Sequence, residues 1–163
     1  MKTLLVVWHS RTGGARQMAE AAAQAAAQEP GVRTRSLRAA DAQAVDLLEA
    51  AGYLFVCPEN LAALSGEMKE FFDRTYYPVL DRIAGRPYAA MIAAGSDGTG
   101  AARQIARIAT GWRLRAVAEP RIVCTHAQTP EAILAQKQLG AAELAACAEL
   151  GQTLAAGLAL GVF

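Results

Sequence analysis

The loop that follows the first apolar segment carries residue types suited to binding an anion. Residues 9–15 read HSRTGGA. Serine and threonine hydroxyls donate hydrogen bonds to phosphate oxygens, and adjacent glycines let backbone N–H groups approach closely. A helix that starts directly afterwards adds unpaired N–H groups and the positive end of its dipole. The loop therefore predicts a phosphate-binding site; the alternative is an ordinary strand-to-helix turn with capping hydroxyls.

Two later loops have compositions suited to contacting a flat ring. Residues 58–66 (PENLAALSG) are mostly small or apolar and include no basic residue, so their backbone N–H groups can bond ring carbonyls and a ring nitrogen. Residues 95–100 (GSDGTG) can contact the far edge of a ring or a sugar. The alternatives are packing against a neighbouring subunit for the first of these loops, and a common turn for the second.

Three single side chains, those of Glu59, His9 and Cys57, each have two possible roles. Glu59, the only carboxylate in residues 58–66, either faces the ring and lowers its reduction potential or faces solvent. His9 either donates to the anion or stays exposed at the end of its strand. Cys57 ends a buried strand and is expected to be a small core residue rather than a nucleophile.

Several other chemistries are excluded by the absence of their patterns. The sequence contains neither GxxxxGK[ST] nor GxGxxG, which triphosphate and dinucleotide sites of the common kinds require. Its three cysteines form no CxxC pair and its two histidines are far apart, so no metal site is expected. We assign no catalytic acid, base or nucleophile.

The elements that must position these loops alternate between strand-like and helix-like segments. Apolar or alternating runs at residues 3–8, 32–37, 53–57, 88–94 and 114–124 predict five strands, the last interrupted by Pro120. About five helices lie between and after them. Such alternation predicts an α/β fold with a parallel sheet covered on both faces, whose ligands bind at the carboxyl ends of the strands.

Length and composition bound the remaining possibilities. The chain has 163 residues, of which 53% are hydrophobic and 19% charged, with a net charge of +1. This predicts a single folded domain over residues 1–163 and gives no general attraction to nucleic acid or acidic membranes. No apolar run approaches the ~20 residues of a membrane span, and we expect a cytoplasmic protein.

The chain resembles the flavodoxin-like flavoproteins, which include flavodoxins and NAD(P)H-dependent FMN and quinone reductases. The resemblance covers essentially the whole chain and is carried by residues 4–14, by residues 58–69 and by Gly95-Ser96. It implies a three-layer, doubly wound, five-stranded parallel sheet of order 2-1-3-4-5, and FMN as the cofactor. Residue roles follow by the same similarity. The FMN phosphate would be held by Ser10, Arg11, Thr12, Gly13, Gly14 and Ala15. The isoalloxazine would be framed by Pro58, Glu59, Asn60, Leu61, Ala62, Ser65 and Gly66, and closed on its other side by Ser96, Asp97 and Gly98.

The chain also departs from the family pattern in three respects. Ala15 stands where family phosphate loops often end in a hydroxyl residue, so one contact is lost or is supplied by Arg16. Carrier flavodoxins usually sandwich the ring between aromatic side chains, and residues 58–66 and 95–100 contain none. Carrier flavodoxins are also typically acidic, unlike this chain.

The last two departures favour an oxidoreductase that uses NAD(P)H to reduce quinones, flavin or other small acceptors. The alternatives are a flavodoxin-type electron carrier, a non-catalytic FMN-binding module, and a scaffold that has lost its flavin. A homodimer or a tetramer remains open.

Overall fold

The apolar runs form the strands of one sheet, and helices connect them. The computed structural model describes residues 1–163. The strands are β1 (Lys2–Trp8), β2 (Val32–Arg38), β3 (Gly52–Asn60), β4 (Ala63–Leu64), β5 (Pro87–Ala94), β6 (Arg115–Ala116) and β7 (Arg121–Cys124). The helices are α1 (Gly14–Ala26), α2 (Ala44–Glu49), α3 (Gly66–Val79), α4 (Thr99–Gly111), α5 (Pro130–Leu134) and α6 (Ala141–Leu160).

The sheet has the expected doubly wound order. β1 lies between β2 and β3, and β5 follows β3, with all these pairings parallel. β6 and β7 both pair with β5 in parallel and together occupy the fifth position. The predicted fifth strand is divided because Pro120, which cannot donate to a ladder, lies between these two segments. The predicted order 2-1-3-4-5 is thus confirmed, with β5 as the fourth strand of that order and β6 and β7 as the fifth. The strand labelled β4 was not predicted; it is a short strand antiparallel to β3.

Two apolar cores cover the two faces of the sheet. On one face, Phe55 of β3 packs against Phe72 of α3 and Trp112, with ring centroids 5.2 and 6.5 Å away. On the other face, α1 packs against the sheet and against α6. The buried face of α1 includes Met18 and Ala22, as its helical periodicity predicts. Burial on both faces fixes each strand end and therefore each loop that follows it.

No helix in the structure has the combined length and apolar character needed to cross a membrane.

The position of α1 depends on a close approach to α6 at Gly151. A Cβ atom added at Gly151 would lie 2.2 Å from the Ala22 carbonyl oxygen, which is a backbone atom and cannot rotate away. Because residues 9–15 lead directly into α1, this contact also sets the position of the first loop.

We expect Gly151→Ala to lower the free energy of unfolding by about 1–3 kcal/mol, since α6 must move away from α1. Denaturant unfolding of the variant measures the change. Gly66→Ala is the matched control, because a Cβ atom there meets nothing within 4 Å. Equal stability of the two variants would contradict a tight contact at Gly151.

Candidate functional site

The loops after β1, β3, β5 and β7 line a cavity of about 520 Å³ at the carboxyl edge of the sheet. Helix α5 and Lys137 complete its wall. Cofactor sites typically have volumes of about 300–1,000 Å³. Among the residues singled out in the sequence, the cavity is lined by Ser10, Arg11, Thr12, Gly14, Ala15, Pro58, Glu59, Asn60, Leu61, Ala62 and Ser96.

Two of the remaining glycines shape the backbone behind this lining. Gly13 and Gly98 are the N-cap residues of α1 and α4, with φ of 95° and 89°. Both angles are left-handed, a conformation that favours glycine. Added Cβ atoms would lie 2.8 Å from Gln136 Oε1 and 2.5 Å from Ile122 Cγ2, respectively. Glycine at these two positions therefore allows the chain to turn sharply into α1 and α4.

The other three predicted residues also lie just outside the lining. Ser65 is buried and is the N-cap residue of α3, which Gly66 begins. The Asp97 carboxylate accepts hydrogen bonds from the backbone N–H and the hydroxyl of Thr99, at 3.2 and 2.7 Å. These bonds hold the pKa of Asp97 below its ordinary value. These three residues therefore lie in or next to the loops that form the cavity but are not part of its lining.

The first turn of α1 presents backbone N–H groups without protein acceptors. The first N–H in the helix to donate to a protein acceptor is that of Gln17, to the Gly13 carbonyl at 3.1 Å. Gly14 and Ala15, which precede it, are buried and line the cavity. Buried N–H groups at the positive end of a helix are suited to binding an anion.

Lys137 places a cation beside this helix end. Its Nζ atom donates to Thr12 Oγ1 at 3.2 Å, and to the carbonyl oxygens of Ile133 and Ala135 at 2.8 and 2.6 Å. Arg16, the cation considered from the sequence, instead lies 3.6 Å from the Glu20 carboxylate and is not part of the lining. The ammonium group nearest the predicted phosphate loop thus comes from a residue that the sequence did not single out.

The second loop is a tight hairpin turn. Leu61 and Ala62 connect β3 to β4, with φ of 51° and 64°. Positive φ at both central residues is the type I′ pattern, in which asparagine and glycine are preferred. Non-glycine residues bear a steric cost there, and such strain clusters at ligand sites. The Leu61 side chain is fully exposed, with a relative exposure of 101%, at the rim of the cavity.

Glu59 links the second loop to the third. Its carboxylate accepts hydrogen bonds from the backbone N–H groups of Gly98 and Ala101, at 2.9 and 3.0 Å. It therefore caps the positive end of α4, where a negative charge is stabilised. The carboxylate is not a free, solvent-facing group, and its charge is partly balanced by the helix end.

His9 joins the end of β1 to the start of α3 and does not line the cavity. Its Nδ1 atom is hydrogen-bonded to Ser65 Oγ at 2.7 Å, and its Nε2 atom lies 2.9 Å from a carboxylate oxygen of Glu67. Burial lowers the pKa of His9, Glu67 opposes that effect, and Arg38 and Arg11 add to it. His9 therefore neither lines the candidate anion site nor stays exposed at the end of its strand. It bridges β1 and α3 instead.

Cys57 is a buried core residue, as expected. Its thiol is fully inaccessible to solvent. Burial raises the pKa of Cys57 to about 12, with a smaller contribution from Glu59, while hydrogen bonding with Ser65 opposes the rise. The thiolate needed for nucleophilic chemistry is therefore disfavoured.

Sequence reasoning missed the wall formed after β7. It consists of Thr125, Ala127, Gln128, Ile133, Leu134 and Lys137, to which the end of β5 adds Ala93 and Ala94. Ile133 and Leu134 are 50% and 65% exposed, so this wall presents apolar surface. The strand-end rule alone could have found this loop, since β7 runs parallel to its neighbours.

Comparison with known proteins identifies similar sequences over part of the chain. A family model described as NADPH-dependent FMN reductase matches residues 42–129. A flavodoxin from Aquifex aeolicus (strain VF5) is 32% identical over 100 residues, covering 61% of this chain and 54% of that protein. The match thus spans about half the length of this curated relative.

Similar solved structures cover nearly the whole chain. A flavodoxin from the domain Archaea superposes with a TM-score of 0.76 at 18% identity, covering 96% of this chain and 98% of that one. A WrbA-like flavodoxin from Agrobacterium tumefaciens gives 0.67 at 16% identity and 96% coverage of both chains. Flavodoxin 1 from Bacillus cereus gives 0.76 at 13% identity, with 94% and 97% coverage. At these low identities the likeness establishes the shared fold.

We expect Glu59→Gln to lower the free energy of unfolding by about 1–2 kcal/mol. The amide keeps one acceptor oxygen, but it loses the second bond and the charge that stabilises the α4 terminus. Denaturant unfolding measures the change. Glu119→Gln is the control, because Glu119 is exposed and forms no ion pair. An unchanged stability for Glu59→Gln would contradict the capping role.

We expect His9 to make folding less favourable as the pH falls. Its pKa in the folded protein lies below the ordinary value of 6.5, so the unfolded chain binds the proton more readily. The stability contributed by neutral His9 is present above pH 6.5 and is lost as the pH falls through the lowered folded-state pKa. Denaturant midpoints between about pH 7.5 and 5 should therefore fall less in His9→Asn than in the wild type.

His126→Asn is the control for this experiment, because His126 is exposed and its φ of 60° is one that asparagine tolerates. This variant should keep the wild-type pH dependence. The same pH dependence in His9→Asn and in the wild type would contradict the assignment.

Proposed function

The chain belongs to the NADPH-dependent FMN reductase family, and on that premise we propose that it is an FMN-dependent oxidoreductase. In this proposal, NAD(P)H supplies the electrons, and a quinone, a free flavin or another small molecule accepts them. FMN is the cofactor to which the family and the flavodoxin relative point.

The single observation that carries the proposal is the mixed character of the cavity lining, which joins anion-binding groups to apolar side chains. Lys137 Nζ lies 3.2 Å from Thr12 Oγ1, beside the unpaired N–H groups of α1. Leu61, Ile133 and Leu134 line the same cavity. This donor set fits a molecule with a phosphate group and a largely apolar, planar body, as FMN has.

The residues of the chain would divide the work of holding FMN. Ser10, Thr12 and the first turn of α1 would bind the phosphate through hydroxyl and backbone donors. The turn at residues 60–63 would contact the ring along one edge, and residues 95–96 would lie near another. Glu59 would keep the second and third loops together through α4. Bound FMN supplies the redox chemistry, and the protein supplies orientation and electrostatics.

The lining of the cavity supports an enzyme more than a carrier. No aromatic side chain belongs to it, so no ring of the protein would cover the isoalloxazine. An uncovered face leaves space for a nicotinamide and then for a small acceptor. The net charge of +1 also lacks the acidic excess typical of carrier flavodoxins.

An electron carrier is the second candidate. It is favoured by the likeness in fold to flavodoxins over nearly their full lengths. A carrier would bind FMN equally well but would depend on a separate reductase for its electrons.

We expect the FMN-loaded protein to oxidise NADH or NADPH continuously when a quinone is supplied, because both substrates can reach an uncovered ring. Absorbance of the reduced nicotinamide measures the rate. An equal concentration of free FMN and the apo-protein are the controls. FMN uptake without any NAD(P)H oxidation would favour the carrier, and failure to take up flavin would exclude both.

A further inference from the structure

We propose that Lys137 is a phosphate-binding residue of this site, whose ammonium group neutralises the phosphomonoester of FMN. The inference rests on the proposed flavin-binding function and adds a ligand group from outside the first loop. The match to the family model ends at residue 129, so Lys137 lies beyond it.

The charge of Lys137 has no carboxylate partner in the protein. All three hydrogen bonds of its Nζ atom go to neutral oxygens, those of Thr12, Ile133 and Ala135. The ion pairs of the structure do not include it, whereas Lys69 is paired with Asp73. Lys137 is also half-buried, so its charge is less well hydrated than that of a surface lysine.

A second source of positive potential lies at the same place. The N–H groups of Gly14 and Ala15 have no protein acceptor at the positive end of α1. Gly14 and Lys137 are neighbours, since a Cβ atom added at Gly14 would be in ordinary van der Waals contact with the Lys137 Cβ atom, at 3.8 Å. An ammonium group is repelled by the positive end of a helix. An anion bound between them is attracted to both, so it makes their proximity favourable.

The backbone of Lys137 is fixed to the phosphate loop on both sides. Its N–H donates to the Thr12 carbonyl at 2.8 Å, and its carbonyl accepts from Gln17 Nε2 at 2.8 Å. The same Gln17 amide nitrogen donates to the Gly13 carbonyl at 2.8 Å, and Gln17 Oε1 accepts from the Leu139 N–H at 3.2 Å. Lys137 is therefore held in register with Thr12.

The chemistry of the surrounding groups selects a phosphomonoester. At neutral pH such a group carries a charge of about −1.5 to −2 and three acceptor oxygens. The Thr12 hydroxyl and the α1 N–H groups supply donors. The Lys137 ammonium supplies positive charge, and it would donate to the phosphate by giving up one of its three contacts with Thr12, Ile133 and Ala135. Arg11, exposed on the same cavity wall, adds a further positive charge at the rim. Riboflavin, which has the same ring without the phosphate, is the natural comparison ligand.

The test is titration of the apo-protein with FMN and with riboflavin, in the wild type and in Lys137→Gln. We expect FMN to bind the variant about ten- to a hundredfold more weakly, since a charge-assisted hydrogen bond and a charge are lost. Riboflavin affinity should change by less than about threefold, because it makes no phosphate contact. Added KCl should weaken FMN binding to the wild type more steeply than to the variant.

Two further variants control the experiment. Lys69→Gln removes a lysine from the exposed face of α3, away from the cavity, and should leave both affinities unchanged. Lys137→Arg keeps the charge and should retain most of the preference for FMN. If Lys137→Gln does not fold, loss of the FMN preference in Lys137→Arg, or wild-type FMN binding that does not respond to salt, would overturn the inference.

The outcomes separate the inference from the proposed function. An unchanged ratio of FMN to riboflavin affinity in Lys137→Gln overturns the role of Lys137, while flavin uptake by the wild type leaves the proposed function standing. A wild-type protein that binds neither flavin overturns both.

Discussion

The parallel register of β1, β3, β5 and β7 is the constraint on which the site depends. Each strand is paired with its neighbour in parallel, so their carboxyl ends lie at one edge of the sheet. The loops that leave this edge are far apart in the sequence and adjacent in space. Close packing on both sheet faces opposes slippage of any one strand in register, since a one-residue shift would exchange side chains of different size between the two cores. The cavity is a consequence of that pairing.

The N-termini of α4 and α1 both lie at this edge, and they differ in whether the protein supplies acceptors for their N–H groups. The start of α4 is satisfied from within the protein, because Glu59 accepts from Gly98 and Ala101. The start of α1 has no such internal acceptor, and Lys137 lies beside it. The capped end of α4 thus joins the second loop to the third. The α1 terminus keeps unpaired N–H groups, and under the proposed function this difference would orient a ligand that has a single charged end.

Patterns within one stretch of sequence predicted the strands and the division at Pro120, and they placed the candidate anion-binding loop between β1 and α1, because each depends on neighbouring residues. Contacts across the fold were not predictable in this way. The bond between Lys137 and Thr12 spans 125 positions, and no local motif marks it. The capping of α4 by Glu59 spans 39 positions. The turn at Leu61 lacks the Asn-Gly signal of its type, since tertiary packing overrides the local preference.

Helix α5 has no buried residue, so little apolar burial keeps it in place. The chain immediately after α5 is anchored by the hydrogen bonds that Gln17 and Thr12 make with residues 137–139. Local opening of such a segment costs little free energy. Under the proposed function, a bound cofactor would oppose this opening, so amide exchange and protease sensitivity around α5 would fall on flavin binding, and a nick there would speed the escape of the flavin.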